Sequence, residues 1–339
     1  MNVVCSVVVP CYNVERWLNR ALDSILGALP DDSEVIAVDD GSTDSTLAIL
    51  RERERKDSRI EVIGLDHGGV SRARNRALDR AKGKYLFFVD PDDWVERDFF
   101  SAMIAKLEGD AADVCVCAYD DTEDGETTAV FRPLSGDYRC RDNATIVREY
   151  VSRIFGYSFD DIRAWYSGRP LFTGREMASA CRMVFRRELV EGNHVRFDER
   201  IELYEDAMFN TEYLLSAKSM TAIDRALYHV TCRNSGAMRS LPKSIDRYCD
   251  NKVRLLEKRD ELNARQGGAL TSLYEGTCAL SAIELLSFVL KGKARWNDLA
   301  ACLKRDSVRR ALEGFPRSWK RPLIALASLF LLYYSKRVK

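Results

Sequence analysis

Gly83-Lys84-Tyr85-Leu86-Phe87-Phe88-Val89-Asp90-Pro91-Asp92-Asp93-Trp94 is the stretch that decides the fold. Tyr85–Val89 is an unbroken apolar run, which predicts a strand buried on both faces; a half-buried strand would alternate apolar with polar residues. The run ends in a turn carrying Asp90, Asp92 and Asp93. Strands covered on both faces belong to parallel sheets flanked by helices, and such sheets bind ligands outside the carboxyl ends of their strands. The acidic turn therefore stands where a ligand is expected.

Outward from this run the pattern repeats. Strands are predicted at Val3–Pro10, Glu34–Asp39 and Ile60–Leu65 upstream, and at Val114–Tyr119 downstream. Between them, Leu18, Ala21, Leu22 and Ile25 give helix spacing to Glu15–Leu26, and Ala73, Ala77, Leu78 and Ala81 give it to Ser71–Ala81. Asp98–Leu107 also reads as a helix. Alternating strands and helices predict an α/β fold with a Rossmann-like, mostly parallel sheet. Asp120–Glu126 reads as an acidic turn, Ala144–Ile154 and Asp206–Ala217 as helices, and Met220–Ile223 and Leu227–Val230 as two short strands. From about Pro242 the pattern is helical throughout.

Three strand ends share one chemistry: Pro10-Cys11-Tyr12-Asn13, Val38-Asp39-Asp40-Gly41-Ser42 and Val89-Asp90-Pro91-Asp92-Asp93. One Asp-Asp pair alone reads as a turn or a helix cap. Three acidic or aromatic sets brought to one sheet edge read as a site, because clustered carboxylates repel and call for a cation. Mn²⁺ or Mg²⁺, held by one or two carboxylates and a substrate's phosphates, meets that need.

The runs Val7–Asn13 and Val38–Asp44, then Gly69-Val70-Ser71-Arg72-Ala73-Arg74-Asn75, then Gly83–Trp94, resemble in order and spacing the opening hundred residues of glycosyltransferase family 2, of the GT-A fold. The resemblance implies that Pro10, Tyr12 and Asp40 lie at a nucleotide base with Asp39 close by. It implies that Arg74 holds the nucleotide or the acidic cluster, that Asp92 faces ribose and metal, and that Asp93 binds metal with Asp90 in the same turn. Pro91 departs from the small polar residue usual there, stiffening the turn without removing a ligand. Tyr204-Glu205-Asp206 resembles the family's Glu-Asp pair, which makes Asp206 the general base with Glu205 in support; the bland alternative is a helix cap. Ser179–Phe185 resembles a strand on the acceptor side. Tyr228–Arg239 resembles a loop closing over a diphosphate, with Arg233 or Arg239 meeting phosphate. His229 reads as a structural histidine ahead of a metal ligand.

The resemblance further implies an inverting transferase that moves sugar from a nucleotide-diphosphate donor, by family habit a UDP-sugar, to a glycan or lipid-linked acceptor in cell-surface polysaccharide synthesis. The expected catalytic domain is 1–240, with a nucleotide half to about 120 and an acceptor half after it. A helical region, 241–317, and a terminal segment, 318–339, follow. A nucleotidyltransferase would show a Gly-rich, Arg-containing loop after the first strand, where Pro10–Asn13 stands. A dinucleotide dehydrogenase would show GxGxxG there. A catalytically dead binding module would have no use for Asp92, Asp93 and Asp206 together.

The chain has 339 residues, 46% hydrophobic and 31% charged, with formal net charge +0. That balance excludes a wholly disordered chain. The charge is uneven: residues 291–339 hold thirteen Lys and Arg against Asp298, Asp306 and Glu313, a surplus of +10. Pro322–Tyr334 is almost unbroken apolar sequence, and as a helix it is too short to cross a hydrocarbon core of ~30 Å. With basic flanks it reads as an interfacial helix on anionic lipid, the alternative being a helix packed on the protein. No nucleic-acid module accompanies it. The opening residues lack the basic and cleavage features of a signal peptide, so the expected location is the inner, cytoplasmic face of the cell membrane. The cysteines follow no metal-ligand spacing and read as reduced, buried thiols.

Overall fold

A computed structural model describes residues 3–123, 126–132, 138–171, 178–231, 244–318 and 321–335. Two units divide the chain. The first comprises Met1–Tyr150 with Ala178–Asn234, and the second Val151–Met177 with Ser235–Lys339. The expected catalytic span 1–240 is therefore interrupted, because 151–177 belongs to the helical unit.

The first unit is built on strands β1 (Cys5–Cys11), β2 (Glu34–Asp39), β3 (Ile60–Gly64), β4 (Tyr85–Phe88) and β5 (Trp94–Val95), then β6 (Val114–Glu123), β7 (Glu126–Phe131), β8 (Arg139–Cys140), β9 (Met183–Arg186) and β10 (Met220–Thr231). The order across the sheet is β3-β2-β1-β4-β9-β6-β10-β5, with β7 on β6 and β8 on β10. β1 to β4 run parallel, as their apolar runs predict. β9 enters antiparallel between β4 and β6, which makes the sheet mixed. Helices α1 (Leu18–Ala28), α2 (Thr46–Lys56), α3 (Val70–Leu78) and α4 (Phe99–Gly109) connect the early strands, and α5 (Asn143–Ile146), α8 (Arg187–Gly192) and α9 (Glu205–Leu214) come later. Leu18, Ala21, Leu22 and Ile25 of α1 are buried, the face that their spacing predicts.

Three expectations need correction. Asp120–Glu126 is not a turn alone. β6 continues to Glu123 and pairs with β7 as a hairpin, where Tyr119 stacks on Phe131 and the Thr127 hydroxyl donates to Asp120. Partners across the hairpin and against β10 satisfy groups that in sequence alone look like a solvated loop. The two short strands after Met220 are one, β10, with register irregularities between Ile223 and Tyr228; Asp224 and Arg225 mark the break that sequence reads as a gap. The helix predicted at Ala144–Ile154 begins as α5 but passes through a wider π turn at Val147–Val151.

An aromatic cluster fixes the geometry behind the sheet edge. Phe88 of β4 meets Phe185 of β9, Phe197 and Phe209 of α9 edge-on, and Phe197 stacks on Phe209 at 4.1 Å. Such pairs add roughly 0.5–1.5 kcal/mol each beyond area burial. They tie β4, which leads into Asp90–Asp93, to α9, which carries Glu205 and Asp206.

The second unit is helical: α6 (Ser152–Ile154), α7 (Phe159–Tyr166), α10 (Ile245–Arg265), α11 (Thr271–Leu290), α12 (Trp296–Leu303), α13 (Asp306–Gly314) and α14 (Pro322–Ser335). α11 is long and apolar enough to cross a membrane by length and composition, but half of it is buried. Its Gly276 faces the carbonyls of Tyr157 and Ser158 so closely that a Cβ would sit 2.7 Å from either. α14 buries Ser328, Leu331 and Ser335 and leaves Leu323, Leu326, Phe330 and Tyr333 exposed. The nine described cysteines are buried free thiols.

Candidate active site

Parallel pairing brings the strand ends together. Cys11 of β1 pairs with Asp39 of β2, so Pro10, Tyr12 and the Asp39-Asp40 pair share one edge. Tyr12 is exposed, with its ring stacked on His67 at 4.2 Å. Asn13 is left-handed at φ 51, and its side-chain oxygen accepts from the Thr43 N–H at 2.8 Å. Gly41 must be glycine: its φ is +73, and a Cβ would lie 2.7 Å from the His67 nitrogen.

The two aspartates divide their work in a way the sequence does not reveal. Asp40 accepts from the N–H groups of Gly68 at 2.9 Å and Gly69 at 2.7 Å, and its carboxylate lies 2.9 Å from His67 Nδ1. It is committed to the turn after β3. Asp39 is buried; its Oδ2 accepts from Ser42 N–H at 3.2 Å, while its Oδ1 has no hydrogen-bond partner. A buried carboxylate oxygen without a donor is costly. Sequence reasoning put Asp40 at the base and Asp39 beside it; the geometry leaves Asp39 as the open acceptor. His67 was missed, although it follows β3 at the same sheet edge and the strand-end rule reaches it.

Arg74 joins the remaining groups. Its buried guanidinium donates through Nη2 to Asp90 at 3.0 Å, and through Nη1 to Glu205 at 3.0 Å and Asp206 at 2.7 Å. It lies over the Phe197 ring at 5.1 Å. Residues 131 and 132 positions apart in sequence thus meet on one side chain. Asp206 Oδ2 also accepts from Ala180 N–H at 2.9 Å, which places the Ser179–Phe185 segment against the pair. Burial, reinforced by the Asp206 charge and opposed by Arg74, pushes the Glu205 carboxyl up to about 7. Burial also raises Asp206, with Arg74 pulling against it.

Asp93 is held by Tyr228, whose hydroxyl donates to Oδ2 at 2.7 Å, and by Thr231 N–H, which donates to Oδ1 at 2.8 Å. The same Tyr228 oxygen accepts from Asp90 N–H at 3.1 Å. Arg20 donates to the Asp92 carbonyl at 2.9 Å and to the Thr231 hydroxyl at 2.5 Å. Neither Tyr228 nor Arg20 was singled out for this cluster from sequence, because α1, β10 and the acidic turn meet only in the fold. His229 lies stacked on Trp94 at 3.6 Å with Nδ1 2.5 Å from Asp120. Arg233 and Arg239 lie outside the described residues.

Burial, with Asp92 and Asp90 alongside, holds the Asp93 carboxyl well above the usual carboxylate range. Burial is the larger cause, and the neighbouring carboxylates add to it. Among the described residues no three His, Cys, Asp or Glu side chains form a ready-made metal cage. The donor set fits a hard divalent cation that takes one or two carboxylates and completes its shell from water and a substrate's phosphates.

Residues 6–166 match the family model for glycosyl transferase family 2. The chain is 29% identical over 237 residues to an uncharacterized glycosyltransferase, EpsJ, of Bacillus subtilis, covering 70% of this chain and 63% of that protein. It is 31% identical over 236 residues to glycosyltransferase GlyA of Streptococcus pneumoniae, covering 69% of this chain but 31% of that protein. The chain therefore spans less than two thirds of these relatives' lengths. The crystal structure of Staphylococcus aureus TarS 1–349 in complex with UDP-GlcNAc shares the fold, with TM-score 0.61 at 20% identity over 98% of this chain and 92% of that one. With the strand-end motifs gathered at one sheet edge, residues 6–166 form a glycosyl transferase family 2 region.

Proposed function

We propose that the protein is an inverting glycosyltransferase that moves a sugar from a UDP-sugar to a glycan or lipid-linked acceptor in cell-surface polysaccharide synthesis. The observation that supports it most is the unpartnered, buried Asp39 Oδ1 beside the exposed Tyr12 ring, at the sheet edge that also carries Asp90–Asp93. Tyr12 offers an aromatic face to a base, and Asp39 an acceptor to a base N–H. Solved TarS in complex with UDP and with UDP-GlcNAc lends the choice of uridine its weight.

In the proposed reaction the acceptor hydroxyl oxygen bonds to the anomeric carbon from the face opposite the leaving group. The bond from that carbon to the diphosphate oxygen breaks, and the electron pair leaves with UDP. Asp206 takes the hydroxyl proton. Arg74 and the Ala180 N–H aim its carboxylate and favour its ionised form. Glu205 shares Arg74 and supports it. Asp92 and Asp93, with Asp90 alongside, would hold Mn²⁺ or Mg²⁺. When bound, the cation supplies positive charge to the departing diphosphate. Tyr228 and Thr231 keep Asp93 oriented for that task. The reading includes peripheral attachment to the inner membrane face through the C-terminal helix, where a lipid-linked acceptor would be met.

A donor panel in a thermal-shift assay tests the proposal. UDP-sugars in Mn²⁺ should raise the melting temperature, by the equivalent of about 2.7 kcal/mol at a hundredfold excess over Kd. Asp93→Ala should lose the Mn²⁺-dependent part. A folded protein that no nucleotide sugar stabilises in Mn²⁺ would overturn it.

A further inference from the structure

The second unit carries an apolar surface whose parts come from two separate stretches of chain. On α14 the residues Leu323, Leu326, Phe330 and Tyr333 recur at helix spacing, opposite the buried Ser328, Leu331 and Ser335. The ends of α11 and α12 on either side of the turn between them add Leu290, 72% exposed, and Trp296, 50% exposed. The two stretches touch. The Trp296 ring lies 6.0 Å from Tyr334, whose ring in turn stacks on Phe330 at 6.2 Å. A row of aromatic rings thus joins the turn to the helix.

We propose that this surface is one docking face for an anionic lipid bilayer, formed jointly by α14 and the Leu290–Trp296 turn. It rests on the membrane attachment proposed above and goes beyond it. The terminal helix is not a free anchor but half of a preformed face, since its inner side is already packed within the unit. Charge selects the occupant. Residues 291–339 carry a surplus of +10, and Lys291 and Lys293 stand exposed beside Leu290. Two copies of this segment placed face to face would set like charge against like charge, whereas anionic headgroups oppose it. Leu and Phe suit the acyl boundary, and Trp and Tyr suit the headgroup level, where one side of the ring is apolar and the other wet. At ~1.5 Å per residue α14 is ~21 Å long, suited to lie in the interface and not to span it.

The full chain is tested by sedimentation with vesicles of phosphatidylglycerol and phosphatidylcholine in equal parts, and with phosphatidylcholine alone. Two double variants probe the two stretches: Leu326→Glu with Phe330→Glu, and Leu290→Ser with Trp296→Ser. These positions are exposed, so the melting temperature should stay close to that of the parent protein. Each pair should reduce partition into anionic vesicles by at least about tenfold, since each removes two side chains that each contribute roughly half of a full burial. Loss with the helix pair alone would leave the tail reading standing and overturn the joint face. No binding by the parent protein, or equal binding to neutral vesicles, would overturn both. A dimer in light scattering that the turn pair converts to monomer, with vesicle binding unchanged, would assign the face to a second copy and overturn the proposal.

Discussion

Arg74→Met removes the cation on which Asp90, Glu205 and Asp206 converge. The side chain is buried, and its contacts at 3.0, 3.0 and 2.7 Å leave it as the shared donor of that acidic group. Breaking a buried ion pair by removing one partner costs about 3–5 kcal/mol, because the other charge is left uncompensated. For a unit of this size that is a fall in melting temperature on the order of 6–20 °C. The loss should depend on pH. Without Arg74 the Glu205 and Asp206 carboxyls, already raised by burial, rise further above their unfolded values. A carboxyl raised in the folded state contributes stability below its unfolded pKa and loses it as pH rises through the folded one. The variant should therefore approach the parent at pH 5 and fall furthest behind at pH 8. Scanning calorimetry at the two pH values reads this directly. An equal deficit at both, or one below about 3 °C, would refute the idea that the guanidinium neutralises this cluster.

Glu205→Gln should act in the opposite sense. With the Glu205 carboxyl at about 7, its ionisation destabilises the fold as pH rises from about 4 through 7. The glutamine variant should match the parent near pH 4 and exceed it at pH 8 by on the order of 3 kcal/mol in denaturant melts. Tyr228→Phe removes the hydroxyl that Asp93 accepts from and that receives the Asp90 N–H; it should cost about 1–3 kcal/mol of stability and weaken Mn²⁺-dependent UDP binding in calorimetric titration. Gly41→Ala forces a side chain into left-handed backbone and against His67. It should cost at least about 1–2 kcal/mol and lower UDP affinity whether or not metal is present, since it disturbs the Tyr12–His67 edge alone.

Much of the sheet was legible because its signals are local. β1, β2 and β4 are continuous apolar runs, and each leads into residues of the candidate site. Asp90, Asp92 and Asp93 could be placed from the strand before them. The position of β9 could not, since Met183–Arg186 has no periodicity that distinguishes an antiparallel insertion between β4 and β6 from an edge strand. Arg74 was legible as a candidate but not as the link between Asp90 and the Glu205–Asp206 pair, which depends on α3 and α9 meeting across the sheet edge. The different settings of Asp39 and Asp40 were also beyond the sequence: adjacent and chemically alike, they differ in that the turn at Gly68 and Gly69 donates to Asp40 and leaves one Asp39 oxygen without a partner. On α14 the unbroken apolar sequence concealed two faces, because Ser328 and Ser335 turn inward and donate to their own helix carbonyls.

The central claim is that this edge transfers sugar from a UDP-sugar with Asp206 as base. UDP release from a UDP-sugar panel, in Mn²⁺ and with an envelope lipid extract as acceptor, tests it most directly when the parent and Asp206→Asn are compared. The account predicts turnover by the parent, and at least about a hundredfold less by Asp206→Asn with UDP binding retained. Equal turnover by the two proteins would contradict it.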